Sequence, residues 1–144
     1  MVKYVQDADS YGVTINGVFA DIRLINADAP EIANKYTNKE AQPFGLMAKD
    51  SVAKYLKGKS VKVKLYGTDK YKRTLAEVYV KEGLFKNKSL SNLLIEKGWA
   101  WVNTEYIVNE KLLRILNSKQ IKAKKLKLGL WALENPIEPK VLRQ

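Results

Sequence analysis

The sequence predicts an α+β domain that is mainly β: a small, closed, five-stranded barrel carrying three helices. Three observations point there. Asn16-Gly17, the strongest two-residue hairpin signal, separates two runs rich in β-branched and aromatic residues. Residues 60–66 alternate polar and apolar side chains without interruption, the period of a strand with one wet face. Residues 40–56 instead bring Phe44, Met47, Ala48, Val52, Tyr55 and Leu56 round at helical spacing.

In order, the chain opens near Tyr4-Val5 in strand-like sequence, and residues 12–15 and 18–24 form the hairpin around Asn16-Gly17. A polar loop spans residues 32–38. The helix over 40–56 stops at Gly58, a residue free to take the left-handed conformation that ends helices. Residues 60–66 and 74–80 are the next strands, joined by a turn over 67–72. Ser89 caps a short helix through Leu94 and Lys97, which Gly98 ends. A last helix runs from about Asn109 to Lys127 and stops near Gly129. From Trp131 through Asn135-Pro136 and Glu138-Pro139 the chain reads as an extended, docked or frayed end. A helix inserted between the third and fourth of five strands is the order of an oligonucleotide-binding (OB) barrel. That fold hosts many functions and does not identify one. At 144 residues, without repeat, linker or low-complexity segment, residues 1–144 read as a single domain able to bury a core without staples.

Composition narrows the chemistry. There is no cysteine and no histidine, so disulfides, thiolate metal sites and imidazole catalysis are excluded. Catalysis falls to Asp, Glu, Arg, Lys, Tyr, Ser or Thr, with any ion held by oxygen. Lys and Arg outnumber Asp and Glu by 26 to 15, a net charge of +11 that favours a polyanionic partner such as nucleic acid. The plainer alternatives are a well-charged soluble surface or a ribosome-type structural binder. No run approaches the ~20 apolar residues of a membrane span. Only Met1-Val2-Lys3 precede Tyr4-Val5, so a preceding signal or anchor, and with it the localisation, stays open.

The most informative stretch runs from Ile22 to Glu31 and places Arg23, Asp28 and Glu31 close together at the end of a strand. The acidic pair of Asp7-Ala8-Asp9-Ser10 and the stretch Thr68-Asp69-Lys70-Tyr71-Lys72-Arg73 supply partners. Carboxylates able to hold a hard cation, with two arginines able to grip a phosphate, are the parts of a metal-dependent phosphodiesterase. Each residue also has a plainer reading. Asp9 and Asp28 suit turn-capping or loop-opening positions, Glu31 a surface position, and Arg23 and Arg73 ion pairs with Asp21, Asp69 or Glu77.

These motifs, in order and at plausible separations, resemble the staphylococcal nuclease (thermonuclease) family over nearly the whole chain. Asp7-Ala8-Asp9-Ser10 resembles the family's Asp-Gly-Asp-Thr, and Arg23 to Glu31 its Arg-Leu-x-x-x-Asp-[Ala/Thr]-Pro-Glu. Phe44-Gly45-Leu46-Met47-Ala48, residues 69–76, Ile95 to Ala100 and Gly129-Leu130-Trp131 match later family strings. The resemblance implies an OB-type barrel and a Ca²⁺-dependent, sugar-nonspecific endonuclease. It would hydrolyse DNA and RNA, single-stranded or locally melted by preference, to 3′-phosphate ends, and act as a monomer. It implies Asp9, Asp28 and the Ala29 carbonyl as metal ligands, Glu31 as the group that prepares the attacking water, and Arg23 and Arg73 as the charge-stabilising pair. Lys70, Tyr71 and Tyr106 fall at substrate contacts, while Thr104 stands where another tyrosine is common. It also favours a secreted or membrane-anchored protein. A non-catalytic binding module of the same fold, or a metal-free single-strand-binding barrel, are the alternatives.

Two departures from the family strings carry expectations of their own. Ala8 in place of glycine costs the acidic turn its freedom to take positive φ, and Lys72 in place of glycine calls for ordinary backbone angles before Arg73. The lysines and arginine between Lys111 and Lys127, with no acidic residue among them, lie on an amphipathic helix whose basic face suits general phosphate attraction. Of the tryptophans, Trp99 suits the core and Trp101 a half-exposed position.

Overall fold

A computed structural model of the chain describes residues 1–33, 40–107 and 109–143. The polar loop expected over 32–38 lies outside the described residues beyond Ala33. Strands β1 (Val2–Asp7), β2 (Ser10–Ile15) and β3 (Val18–Leu24) form an antiparallel meander. Asn16 and Gly17 both take positive φ, 49° and 83°, so the turn matches the twist of the strands it joins. The two-residue strand β4 (Ala27–Asp28) follows, then α1 (Gly45–Leu56), β5 (Val61–Thr68) and β6 (Thr74–Glu82). The chain continues through β7 (Lys86–Ser89), α2 (Leu90–Lys97), β8 (Trp101–Val102) and α3 (Glu110–Lys125). It finishes in a 3₁₀ turn (Gly129–Ala132) and the single-turn α4 (Pro139–Leu142).

The main sheet has the order β1-β2-β3-β6-β5, with β7 also on β6. β6 is its axis. It pairs in parallel with β3 through Ala76 and antiparallel with β7 from Tyr79 onward, so the sheet forks and curls there. Leu75 through Val78, and Val80, are buried on it, as a strand covered on both faces requires. Tyr11, Ile22, Leu24, Val52, Val78 and Leu94 build the core between this sheet and the helices.

The expected closure is corrected in one respect. Among the described residues β1 and β5 do not pair, and the sheet stays open between them. The C-terminal end of α1 and a cavity of about 570 Å³ lie in that gap, with β1 and the start of β5 along its walls. The first helix is also shorter than its periodicity. Phe44 takes φ 73° and Gly45 packs so closely on Glu31 that a Cβ there would stand 2.4 Å from the Glu31 carbonyl oxygen. Residues 40–44 are thereby committed to clamping the Glu31 loop rather than to helix.

Ser89 and Asn109 cap α2 and α3 with their side chains, and Gly98 ends α2 in the left-handed conformation at φ 70°. The Asp69–Arg73 turn follows a strand that runs two residues past Tyr66 and bulges between Leu65 and Gly67. No described helix is long and apolar enough to cross a membrane.

Candidate active site

Sheet register assembles the site. Ser10 lies opposite Arg23 in the β2–β3 pair, and the Leu24 N–H donates to the Asp9 carbonyl at 2.9 Å, so Asp9 stands beside Arg23. β4 pairs with β8, Asp28 opposite Trp101, which holds the second aspartate across from the first. Parallel pairing of Arg23 with Leu75 brings the turn that carries Arg73 alongside.

Arg23 is at the centre, only 5% exposed. Its Nη1 lies 2.5 Å from Asp9 Oδ2 and its Nη2 2.6 Å from Asp28 Oδ1. Nη1 also donates to the Ala27 carbonyl at 3.1 Å. Burial disfavours the charged guanidinium, yet Asp9 and Asp28 outweigh it and hold its proton more tightly than usual. Burial likewise opposes ionisation of Asp9, but Arg23 and hydrogen bonds from Asp7, the Ala29 N–H and Ser10 win, leaving its carboxyl below the usual value. The Ala29 N–H reaches Asp9 Oδ2 at 2.5 Å and the Ser10 hydroxyl reaches Oδ1 at 3.1 Å. Asp7 is pushed well up, first by burial and then by Asp9, and its Oδ1 accepts from the Asp9 N–H at 3.3 Å. Asp28 is raised by burial against the opposing pull of Arg23.

Arg73 is presented by a turn that Asp69 builds. Asp69 Oδ1 accepts from the N–H of Tyr71 at 2.8 Å and of Arg73 at 2.9 Å, while Oδ2 accepts from Arg73 Nε at 2.8 Å. The ion pair between Arg73 and Asp69, one of the plainer readings of the sequence, is therefore present. It leaves the Arg73 side chain 36% exposed and facing the same pocket as Arg23. Lys72 corrects the expectation of ordinary angles: it takes φ 62°, the left-handed conformation the turn demands. Ala8, fully buried, is not among the residues of positive φ, so the acidic turn forms without glycine.

Glu31 is held by its backbone. The Glu31 N–H donates to Gln42 Oε1 at 2.9 Å, and its carbonyl accepts from the Gln42 N–H at 2.8 Å. The expected substrate contacts converge: Lys70, Tyr71, Arg73, Thr104 and Tyr106 line a pocket of about 330 Å³ together with Arg23 and Asp28. A smaller adjoining cavity of about 70 Å³ touches Asp7, Asp9, Arg23, Glu31 and Arg73. Trp99 packs half-buried against the core, while Trp101 meets Trp131 edge-on at 4.3 Å under Lys124.

Sequence reasoning missed Arg143. Its Nη2 hydrogen-bonds Asp28 Oδ2 and its Nη1 lies 3.5 Å from Glu31 Oε1, although well over a hundred residues separate it from both. No local pattern in the tail, read from sequence as an extended, docked or frayed end, pointed to it.

The donor set of Asp9, Asp28 and Glu31 is all oxygen, and it already faces guanidinium cations, so its chemistry fits a hard divalent ion. Among the described residues no three acidic side chains form a ready-made ligand cluster. Asp9 Oδ1, which Arg23 does not contact, and the guanidinium-paired oxygens of Asp28 are the carboxylate atoms an ion would share with the arginines. Ala29 meets the site through its N–H.

A mainly-β fold thus gathers Asp9 and Asp28 around Arg23, with Arg73 facing the same pocket. A family model described as "Staphylococcal nuclease homologue" matches residues 21–133, and the chain belongs to that family, a family of nucleases acting on nucleic acid. It is 30% identical over 142 residues to an "Uncharacterized endonuclease" of Escherichia coli, covering 99% of this chain and 82% of that one. It is 34% identical over 118 residues to a "Probable staphylococcal-like nuclease CAN1" of Oryza sativa subsp. japonica, 82% of this chain but 30% of that longer one. A "Probable endonuclease LCL3" of Pyricularia oryzae is 31% identical over 126 residues, 86% of this chain and 48% of its own length.

Proposed function

We propose that the chain is a Ca²⁺-dependent, sugar-nonspecific endonuclease that hydrolyses DNA and RNA, preferring single-stranded or melted segments and leaving 3′-phosphate ends. The observation that carries this reading is the single pocket shared by Arg23, Arg73, Asp28 and the aromatic and lysine contacts. Asp9 and Asp28 would hold the ion, with the Ala29 carbonyl as a third donor. Bound there, Ca²⁺ supplies a Lewis acid for the phosphoryl oxygen and a place to orient water.

Arg23 and Arg73 aim guanidinium donors at the charge that builds on the phosphoryl oxygens, which stabilises the transition state above the ground state. Glu31, fixed through its backbone by Gln42, takes or directs the proton of the attacking water. The nucleophilic oxygen bonds to phosphorus as the P–O5′ bond breaks, and the departing O5′ takes a proton. Tyr71, 64% exposed, and Tyr106 offer faces on which any base can stack, which suits a substrate that is not a closed duplex.

The test is digestion of single- and double-stranded DNA and of RNA with Ca²⁺ or with chelator. Product ends are scored by whether a polymerase extends them before and after phosphatase treatment. Glu31→Ser and Arg73→Ala are each expected to lower the rate by about 10² or more without unfolding the chain. Near-wild-type cleavage by either variant overturns the role assigned to that residue, and binding without cleavage in Ca²⁺ overturns the enzyme assignment in favour of a binding module.

A further inference from the structure

We propose that Arg143 is a built-in counter-ion of the acidic cup, whose guanidinium on Asp28 and Glu31 competes with the divalent cation and sets the affinity for it. The inference rests on the reading above and adds a residue to that site. Both oxygens of Asp28 are engaged by guanidinium groups, Oδ1 by Arg23 and Oδ2 by Arg143. An ion that takes an Asp28 oxygen competes with one of them for the same carboxylate charge. Arg23 is buried and holds Asp9 and the Ala27 carbonyl as well. The Arg143 side chain is 28% exposed, follows a single helical turn, and among the described residues forms ion pairs with Asp28 and Glu31 only. Arg143 is the one that yields.

The arm that delivers Arg143 is attached to the same loop that carries Glu31. Gln42 accepts from the Glu31 N–H through Oε1 and donates through Nε2 to the Ile137 carbonyl at 2.8 Å. Two residues on, Pro139 starts α4 with its fixed φ, and the Val141 N–H closes the turn on the Glu138 carbonyl at 3.0 Å. Arg143 is thus aimed from a short, anchored strap, and it lines both the larger pocket and the smaller cavity. A guanidinium with two acidic partners is planar and forked, suited to bridging carboxylates in a way that a lysine ammonium is not.

The test is calorimetric titration of Ca²⁺ into the full chain without nucleic acid, for wild type, Arg143→Gln, Arg143→Lys and Lys140→Gln. Lys140 lies on the same turn and pairs with Glu138 at 2.9 Å, so its variant changes net charge equally without touching Asp28. If Arg143 is docked about nine-tenths of the time, its removal tightens Ca²⁺ binding about ten-fold. Lys140→Gln is expected to change it less than about three-fold by general electrostatics. Arg143→Lys, which keeps the charge and the fold but loses the fork, is expected between the two. Unchanged or weaker binding in both Arg143 variants, or an equal gain in Lys140→Gln, overturns the inference. If wild type cleaves with Ca²⁺ while the Arg143 variants bind it no more tightly, this inference alone falls. Absence of Ca²⁺ binding in every variant removes the proposed cofactor as well.

Discussion

Replacing Arg23 by Met keeps length and removes charge at the most enclosed point of the site. Two charge-assisted contacts at 2.5 and 2.6 Å and a third hydrogen bond at 3.1 Å are lost. At about 1.5–3 kcal/mol for each charged bond, the loss is about 3–6 kcal/mol. The same range follows from stripping one partner from a buried ion pair, about 3–5 kcal/mol, because the aspartates stay buried without their counter-charge. Arg73, with a third of its side chain exposed and its charge paired to Asp69, is the internal comparison: Arg73→Ala is expected to cost about 1 kcal/mol or less.

The Arg23→Met deficit also has a defined pH dependence. Without Arg23 the folded-state pKa values of Asp9 and Asp28 rise, so the native state binds protons that the unfolded chain releases. Stability of the variant then falls as pH rises from the ordinary carboxylate range, and the deficit narrows on acidification. Urea unfolding followed by tryptophan fluorescence, in chelator at pH 7.5 and 5, reads both. A variant within about 1 kcal/mol of wild type at pH 7.5, or one that costs no more than Arg73→Ala, refutes the reasoning.

Other outcomes follow from the same structure. Glu77 is 2% exposed, and burial raises its carboxyl above the usual value of 4.5 although Asn26 and the Val78 and Ser91 N–H groups donate to it. The native state therefore binds the extra proton, and wild-type stability falls as pH climbs from about the unfolded value through the raised one. Glu77→Gln is expected to shallow that slope in melting curves taken across the window, the shares of Asp7 and Asp28 remaining; an unchanged slope rejects the assignment. Lys72 occupies φ 62°, so Lys72→Gly is expected to raise stability by about 0.5–1 kcal/mol, strain relief outweighing the entropy of glycine. A lower melting temperature argues that the lysine side chain contributes more than its backbone costs.

Much of the fold was legible because local signals agreed with it. The Asn16-Gly17 turn, the Ser89 cap and the Gly98 stop act within a few residues, and each falls where the sequence placed it; the last helix begins beside Asn109, which caps it. The short strands β4 and β8 were invisible, since two residues carry no periodicity and exist only because they pair across the chain. The start of α1 was misread because residues 40–44 have helical spacing but are claimed by the Glu31 backbone.

The order of residue types along the chain determined the chemistry on offer: oxygen ligands, guanidinium groups, stacking rings and excess positive charge, with thiol and imidazole excluded. It also marked Arg23, Asp28 and Glu31 as neighbours, because they are close in sequence and follow one strand. Tertiary structure alone decided who holds whom. Arg23 lies between Asp9 and Asp28 because β2 and β3 pair in one register, and Arg143 reaches Asp28 because a strap anchored by Gln42 folds back across the whole chain. Charge pairing depends on distances of a few ångströms in a buried setting, and nothing local encodes a contact made over such a separation.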